Sequence, residues 1–213
     1  MNRSAAVSLS RPARTRAAVS VALQHRGALR PAIGLGVASL LVLGLAYAVG
    51  TTTVSRALFP AKADGSLLVV DGQVRGSRLV AQPFAGDGYF QTRPSAAGYD
   101  PMAAAGSNLA RSNPALQERV REATAAVALR EGVPTSAVPG DLVTQSGAGM
   151  DPEISPQAAA VQVARVARAR GMDAAQVEAL VAAQTEGPQW GVFGQPRVNV
   201  MELNTALDHT LHP

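Results

Sequence analysis

Pro31 to Ser55 reads PAIGLGVASLLVLGLAYAVGTTTVS and holds no charged side chain, with Arg30 before it and Arg56 after it. As a helix it would run roughly 37 Å, longer than the ~30 Å hydrocarbon core of a bilayer. A core helix of a soluble domain is seldom apolar on every face over such a length. The stretch predicts a transmembrane helix, and that prediction divides the chain. Residues 1–30 become a tail on one side of the membrane, and residues 56–213 a domain on the other.

Charge orients the division. The tail carries Arg3, Arg11, Arg14, Arg16, Arg26 and Arg30 and no acid, whereas the chain after Ser55 holds 13 basic and 15 acidic residues, a net of −2. Basic flanks stay on the cytoplasmic side of a span. The expected topology is single-pass, with a cytoplasmic tail and an extracytoplasmic domain. The tail's arginines suit anionic lipid headgroups. Because the sequence pI of 10.3 comes from the tail, it does not argue for nucleic acid: the domain shows no basic patch interleaved with aromatics. Ala46-Tyr47-Ala48 resembles a signal-peptide cleavage site. The uncharged run continues seven residues beyond it, which favours a retained anchor.

Within the span, Ala32, Gly36, Gly44 and Ala48 recur at four-residue spacing. Small residues at that interval let a second helix approach closely. Gly36, Gly44 and Ala48 are therefore candidate contacts to a partner helix.

The domain reads as α+β. Asp71-Gly72 between Leu67–Val70 and Gln73–Val80 predicts a hairpin with a type I′ turn, bulged at Gly76. Gln82 to Pro114 is rich in glycine and proline, yet carries Phe84, Tyr89, Phe90 and Tyr99. Linkers are poor in large apolar groups, so this loop should be ordered and packed. It is either a recognition surface or a structural loop plugged by aromatics. As a recognition surface, Tyr89 and Phe90 would be its apolar anchors and Arg93 its charged one, with Ser95, Asn108 and Asn113 beside them.

Asn113-Pro114 starts a helix that Gly132 ends, and Ser155-Pro156 starts another that Gly171 ends. Asp173 with Gln176 predicts a capping box for a third. Val198–Val200 reads as a strand and Leu203–Leu207 as a short helix.

Little in the sequence points to catalysis. The histidines are His25, His209 and His212, cysteine is absent, and Lys62 is the sole lysine. That leaves no thiol chemistry, no Cys-ligated metal, little room for a Ser-His-Asp triad, and no phosphate-loop lysine. Asp141, Asp151 and Glu153 could bind a hard cation, but match no EF-hand spacing. They read first as helix caps or interface groups.

Several motifs stand in one order: Gly65-Ser66-Leu67; Gly76-Ser77-Arg78-Leu79-Val80; Tyr89-Phe90; Arg93-Pro94-Ser95-Ala96; Gly106-Ser107-Asn108-Leu109; Ser112-Asn113-Pro114; Asp141-Leu142-Val143-Thr144; Asp151-Pro152; Gln162-Val163 with Arg165-Val166-Ala167; Val198-Asn199-Val200; Leu203-Asn204; Ala206-Leu207-Asp208. In this order they resemble the KdpC family, the C subunits of bacterial Kdp potassium-transporting P-type ATPases. The resemblance implies a non-catalytic subunit that works beside a potassium-channel-like A subunit, an ATP-hydrolysing B subunit and a small F subunit. It further implies a catalytic chaperone that raises the ATP affinity of the B subunit. ATP and potassium would be handled by the complex, with no cofactor held by this chain. Two other readings remain open: a membrane-anchored extracytoplasmic enzyme, and a small-ligand binding protein.

Overall fold

The computed structural model describes residues 27–211. Most of the arginine-rich tail, His25 and His212 lie outside them. The chain falls into two compact units, one up to Thr53 and one from Val54 onward.

A helix, α1, runs Leu29–Leu58, and its apolar window is 0% buried within the chain. It is long and apolar enough to cross a bilayer. A π-helical segment, Leu40–Ala46, interrupts its α-helical ladder. The hydroxyls near its end are satisfied locally: Thr51 Oγ1 donates to the Tyr47 carbonyl at 2.8 Å and Thr53 Oγ1 to that of Val49 at 2.8 Å. Such back-bonding lets hydroxyl residues stand in an apolar helix without an unpaired donor.

In the second unit, Pro60 does not simply stop the chain. It is the first residue of a one-turn helix, α2 (Pro60–Ala63), where proline's missing N–H costs nothing. Arg56 Nε bonds Asp64 Oδ1 at 3.0 Å across this bend.

The hairpin follows as β1 (Leu67–Val70) and β2 (Gln73–Ser77), antiparallel. Asp71 and Gly72 have φ of 52° and 72°, the positive pair a type I′ turn demands. Leu68 pairs with Gly76 and Val69 with Val74, so Arg75 is the extra residue of a bulge. The strand ends at Ser77, not at Val80, because the Ser77 hydroxyl accepts the Leu79 N–H at 3.1 Å and turns the chain. Gly76 lies under the ends of two long side chains: a Cβ there would stand 2.4 Å from Gln82 Nε2 and 2.8 Å from Met201 Cε, and both would have to swing aside.

Four helices build the core: α3 (Pro114–Glu131), α4 (Pro156–Arg170), α5 (Ala174–Ala183) and α6 (Val200–Leu211). Their starts are the expected ones. Asn113 accepts from Ala115 N–H at 2.9 Å, Ser155 from Ala158 N–H at 3.0 Å, and Asp173 shares a capping box with Gln176. Gly132 and Gly171 end α3 and α4 in the left-handed conformation.

A three-stranded antiparallel sheet lies beside them: β3 (Glu153–Ile154), β4 (Thr185–Glu186) and β5 (Arg197–Asn199), in the order β3-β5-β4. The last helix is longer than Leu203–Leu207. Asn199, the final residue of β5, accepts from Met201 N–H at 3.0 Å and Glu202 N–H at 3.2 Å, and so starts α6 without an intervening turn. Ile154, Val163, Val166, Val177, Val198, Leu203 and Leu207 meet in the core.

Asp141 and Asp151 act as local caps, accepting from Ser155 N–H at 2.6 Å and Glu153 N–H at 3.0 Å. Between them Gly149, at φ +71°, leaves no room for a Cβ, which would meet the Ala105 carbonyl at 2.8 Å and Ala97 Cβ at 2.9 Å. Gly149→Ala is expected to destabilise the domain by about 1–3 kcal/mol, from overpacking together with a disfavoured φ. Thermal unfolding checks this, and an unchanged melting temperature would contradict it.

Candidate functional site

The loop from Gln82 to Pro114 has no regular structure beyond one 3-10 turn at Pro101–Ala103. Its backbone polar groups still need partners, and helix side chains supply them. Phe90 is 0% exposed and plugs the core. Its N–H donates to Asn204 Oδ1 at 2.9 Å, and its carbonyl accepts from Asn204 Nδ2 at 2.9 Å. The next residue is held from α4: Gln91 N–H donates to Gln162 Oε1 at 2.7 Å, and Gln162 Nε2 donates to the Gln91 carbonyl at 3.2 Å. A carboxamide offers a donor and an acceptor at the spacing of a peptide group. Asn204 and Gln162 thus take the place of flanking strands, clamping Phe90-Gln91 between α6 and α4.

Arg165 completes the clamp. It lies one helical turn from Gln162 and is 6% exposed. Its Nη1 donates to the carbonyls of Asp87 (2.5 Å) and Tyr89 (2.9 Å), its Nη2 to Gln162 Oε1 (2.8 Å), and its Nε to Glu131 Oε2 (2.9 Å). Glu131 is itself buried and also bonds Arg130 Nε at 2.6 Å. Further along α4, Arg170 donates from Nε to the Gly88 carbonyl at 2.6 Å, and its guanidinium lies 4.5 Å over the Tyr89 ring. Asp208 joins both groups, pairing with Arg170 at 2.8 Å and accepting from the Tyr89 hydroxyl at 3.3 Å. A cleft of about 720 Å³ opens beside Tyr89, Phe84, Arg170 and Asp208.

Arg93 is half-buried and spends its charge inside the domain, on Asp151 at 2.9 Å. Ser95 Oγ donates to the Gly149 carbonyl at 2.6 Å and accepts from the N–H groups of Ala97 and Tyr99. Asn108 is exposed, with φ +50°, and Asn113 caps α3. Gly36, Gly44 and Ala48 are exposed on α1, and among the described residues nothing beyond the helix's own neighbouring backbone lies within 4 Å of a Cβ placed at Gly36 or Gly44. Tyr89, Phe90, Arg93 and Ser95 therefore belong to one braced segment. Phe90, expected as an apolar anchor for a partner, is instead the plug that seats the loop. The side chains that do the bracing, Gln162, Arg165, Arg170, Asn204 and Asp208, were not singled out as site residues. Their signal is positional: polar groups on the apolar faces of two helices.

Across the small sheet, Arg197 pairs with Glu153 at 2.9 Å and with Glu186 at 2.7 Å, and Arg78 pairs with Glu202 at 2.6 Å. Burial pushes the Glu153 carboxyl above its ordinary value of 4.5, Arg197 opposes this, and Asp151 and Glu186 add to it. The folded state thus binds this proton more tightly than the unfolded chain. The stability the proton contributes is present below pH 4.5 and is lost as pH rises through the raised value. Glu153→Gln is expected to flatten that part of the stability–pH curve; an unaltered slope in a melting series would contradict the assignment.

Among the described residues, no three His, Asp or Glu side chains are grouped to hold a metal.

The model of the family described as KdpC, K+-transporting ATPase, c chain, matches residues 29–209. The chain belongs to the KdpC family. The match takes in α1 and nearly the whole domain, including the braced loop and every side chain that holds it. Similar relatives carry the name potassium-transporting ATPase KdpC subunit. The one from Xanthomonas campestris pv. campestris (strain B100) is 56% identical over 189 residues, 89% of this chain and 90% of the relative. Those from Shewanella putrefaciens and Gemmatimonas aurantiaca are 54% and 49% identical, covering 80% and 87% of this chain and 86% and 93% of theirs.

Proposed function

We propose that this chain is a non-catalytic accessory subunit of an ATP-driven potassium uptake complex, holding its channel-like A subunit, ATPase B subunit and small F subunit together. One observation carries the reading. The domain commits three buried polar side chains, Gln162, Arg165 and Asn204, to fixing the backbone of one loop. Pre-organising a surface segment lowers the cost of docking a partner, so this is an economical design for an assembly module. The names of the family and its relatives supply the complex. The Gly36, Gly44 and Ala48 face of α1 packs on a partner helix. The half-buried Tyr89 and Arg93 and the turn at Asn108 form the docking face of the domain.

On this reading, ATP and potassium are handled by the other subunits. The basic tail holds the N-terminus inside, so the domain is outside while ATP is inside. An effect on ATP affinity must then pass through contacts that differ between two conformations of the complex. Arg93→Ala, by freeing Asp151 and loosening the docking face, is expected to lower the yield of assembled complex and raise its KM for ATP. Wild-type yield and KM would refute that role. A cytoplasm-only reporter fused at the C-terminus should be silent, and activity there would reverse the topology.

A further inference from the structure

Gly187 to Pro196 joins β4 to β5 and reads GPQWGVFGQP, without one charged side chain. Its tip is apolar and exposed: Trp190 is 83% exposed, Val192 76% and Phe193 61%. The tip is built, not frayed. Gln189 and Phe193 form a β-bridge, with Gln189 N–H donating to the Phe193 carbonyl at 2.7 Å. Trp190 and Phe193 pack edge to face at 6.0 Å. Trp190 sits at φ +54°, a conformation a bulky residue adopts only at a cost. The aromatic pair is thus held out toward solvent at an energetic penalty, and an apolar cluster of this kind calls for a surface to cover it.

The base of the loop indicates which surface. Glu186 and Arg197, the last paired residues of β4 and β5, line one cleft together with Ala61 and Lys62 of α2. Those two residues follow α1 by only a few positions. The loop therefore springs from the region where the chain leaves its apolar helix, in the same compact unit as the final turn of that helix.

We infer that the Trp190–Phe193 tip inserts into the headgroup–acyl boundary of the outer leaflet, as a second and shallow membrane contact of the domain. Tryptophan favours that boundary, since its ring is apolar and its N–H polar. The absence of charge from the tip removes the main penalty for entering it. With α1 as tether, insertion is intramolecular, so a weak contact suffices. This rests on α1 spanning the bilayer.

Trp190 is the only tryptophan of the chain, and its fluorescence reads the contact directly. The full chain is reconstituted in vesicles of phosphatidylcholine and phosphatidylglycerol, with and without brominated acyl chains. The expected result is loss of most Trp190 emission to brominated lipid, and little loss to aqueous iodide. Quenching by iodide with none by brominated lipid overturns the inference. A Tyr47→Trp, Trp190→Phe chain separates the two readings. Its emission quenched by brominated lipid, with Trp190 unquenched in the wild type, sinks the inference alone. Both unquenched sinks the span as well. The chain has no cysteine, so V192C takes a single fluorescent label before assembly with the other subunits. A label shielded from iodide and from brominated lipid alike would mean that a protein covers the tip, and would also overturn the lipid assignment.

Discussion

Arg165→Met is expected to be the most damaging single change in the domain. Arg165 is buried and serves four acceptors: the carbonyls of Asp87 and Tyr89, Gln162 Oε1 and Glu131 Oε2. Removing it strands two backbone carbonyls and half the pairing of a buried carboxylate. Breaking a buried pair from one side costs about 3–5 kcal/mol, because the remaining charge stays desolvated. For a domain of this size that lowers the melting temperature by on the order of 10 °C. Lysine should not rescue it, because one ammonium cannot span acceptors arranged around a planar fork. Glu131→Gln added to Arg165→Met should recover part of the loss, since it removes the stranded charge. A melting temperature within about a degree of wild type, read against the same scale, would show that the network carries no such weight.

The second large effect is local. Asn204→Leu leaves the N–H and carbonyl of Phe90 without partners. Each buried group left unpaired costs about 1–3 kcal/mol. The loss falls at the centre of a segment whose other anchors, the Phe90 side chain, Gln162, Arg165, Arg170 and Asp208, remain, so the loop should open there before the helices unfold. Hydrogen exchange at the Phe90 and Gln91 amides is expected to accelerate by orders of magnitude, while α3 to α5 stay protected. Uniform acceleration across the domain would mean that Asn204 supports the core and not the loop. Because the proposed docking face is part of this segment, assembly should fall with loop protection, even in preparations that remain folded.

These two effects concern side chains that the sequence shows only obliquely. Helix starts were legible because each carries its own chemistry: Asn113-Pro114, Ser155-Pro156 and the Asp173–Gln176 box. The hairpin was legible because only a few dipeptides accept two positive φ angles, and Asp71-Gly72 is one. The strands β3 and β4 were not, since two residues have no period to read. The start of α6 was missed for a related reason: Asn199 ends a strand and caps a helix at once, with no glycine or proline to mark the join.

The candidate site divides the same way. An ordered aromatic loop was predictable from Phe84, Tyr89, Phe90 and Tyr99 in a glycine-rich setting. Which aromatic faces inward was not, because that depends on Asn204 and Gln162, distant in sequence. Gln162 and Arg165 do leave a trace, flanking Val163 and Val166 on the apolar face of α4. A polar pair in that position signals a buried backbone to be satisfied, and the loop is the segment that lacks partners of its own.

The central claim is that the chain is an assembly subunit, and co-purification tests it most directly. An affinity tag on this chain, expressed with its partner genes under potassium limitation and solubilised in mild detergent, should bring down a P-type ATPase and a channel subunit in stoichiometric amounts. The same preparation bearing Asn204→Leu should bring down less. A wild-type chain recovered folded, in full yield and alone would contradict the account.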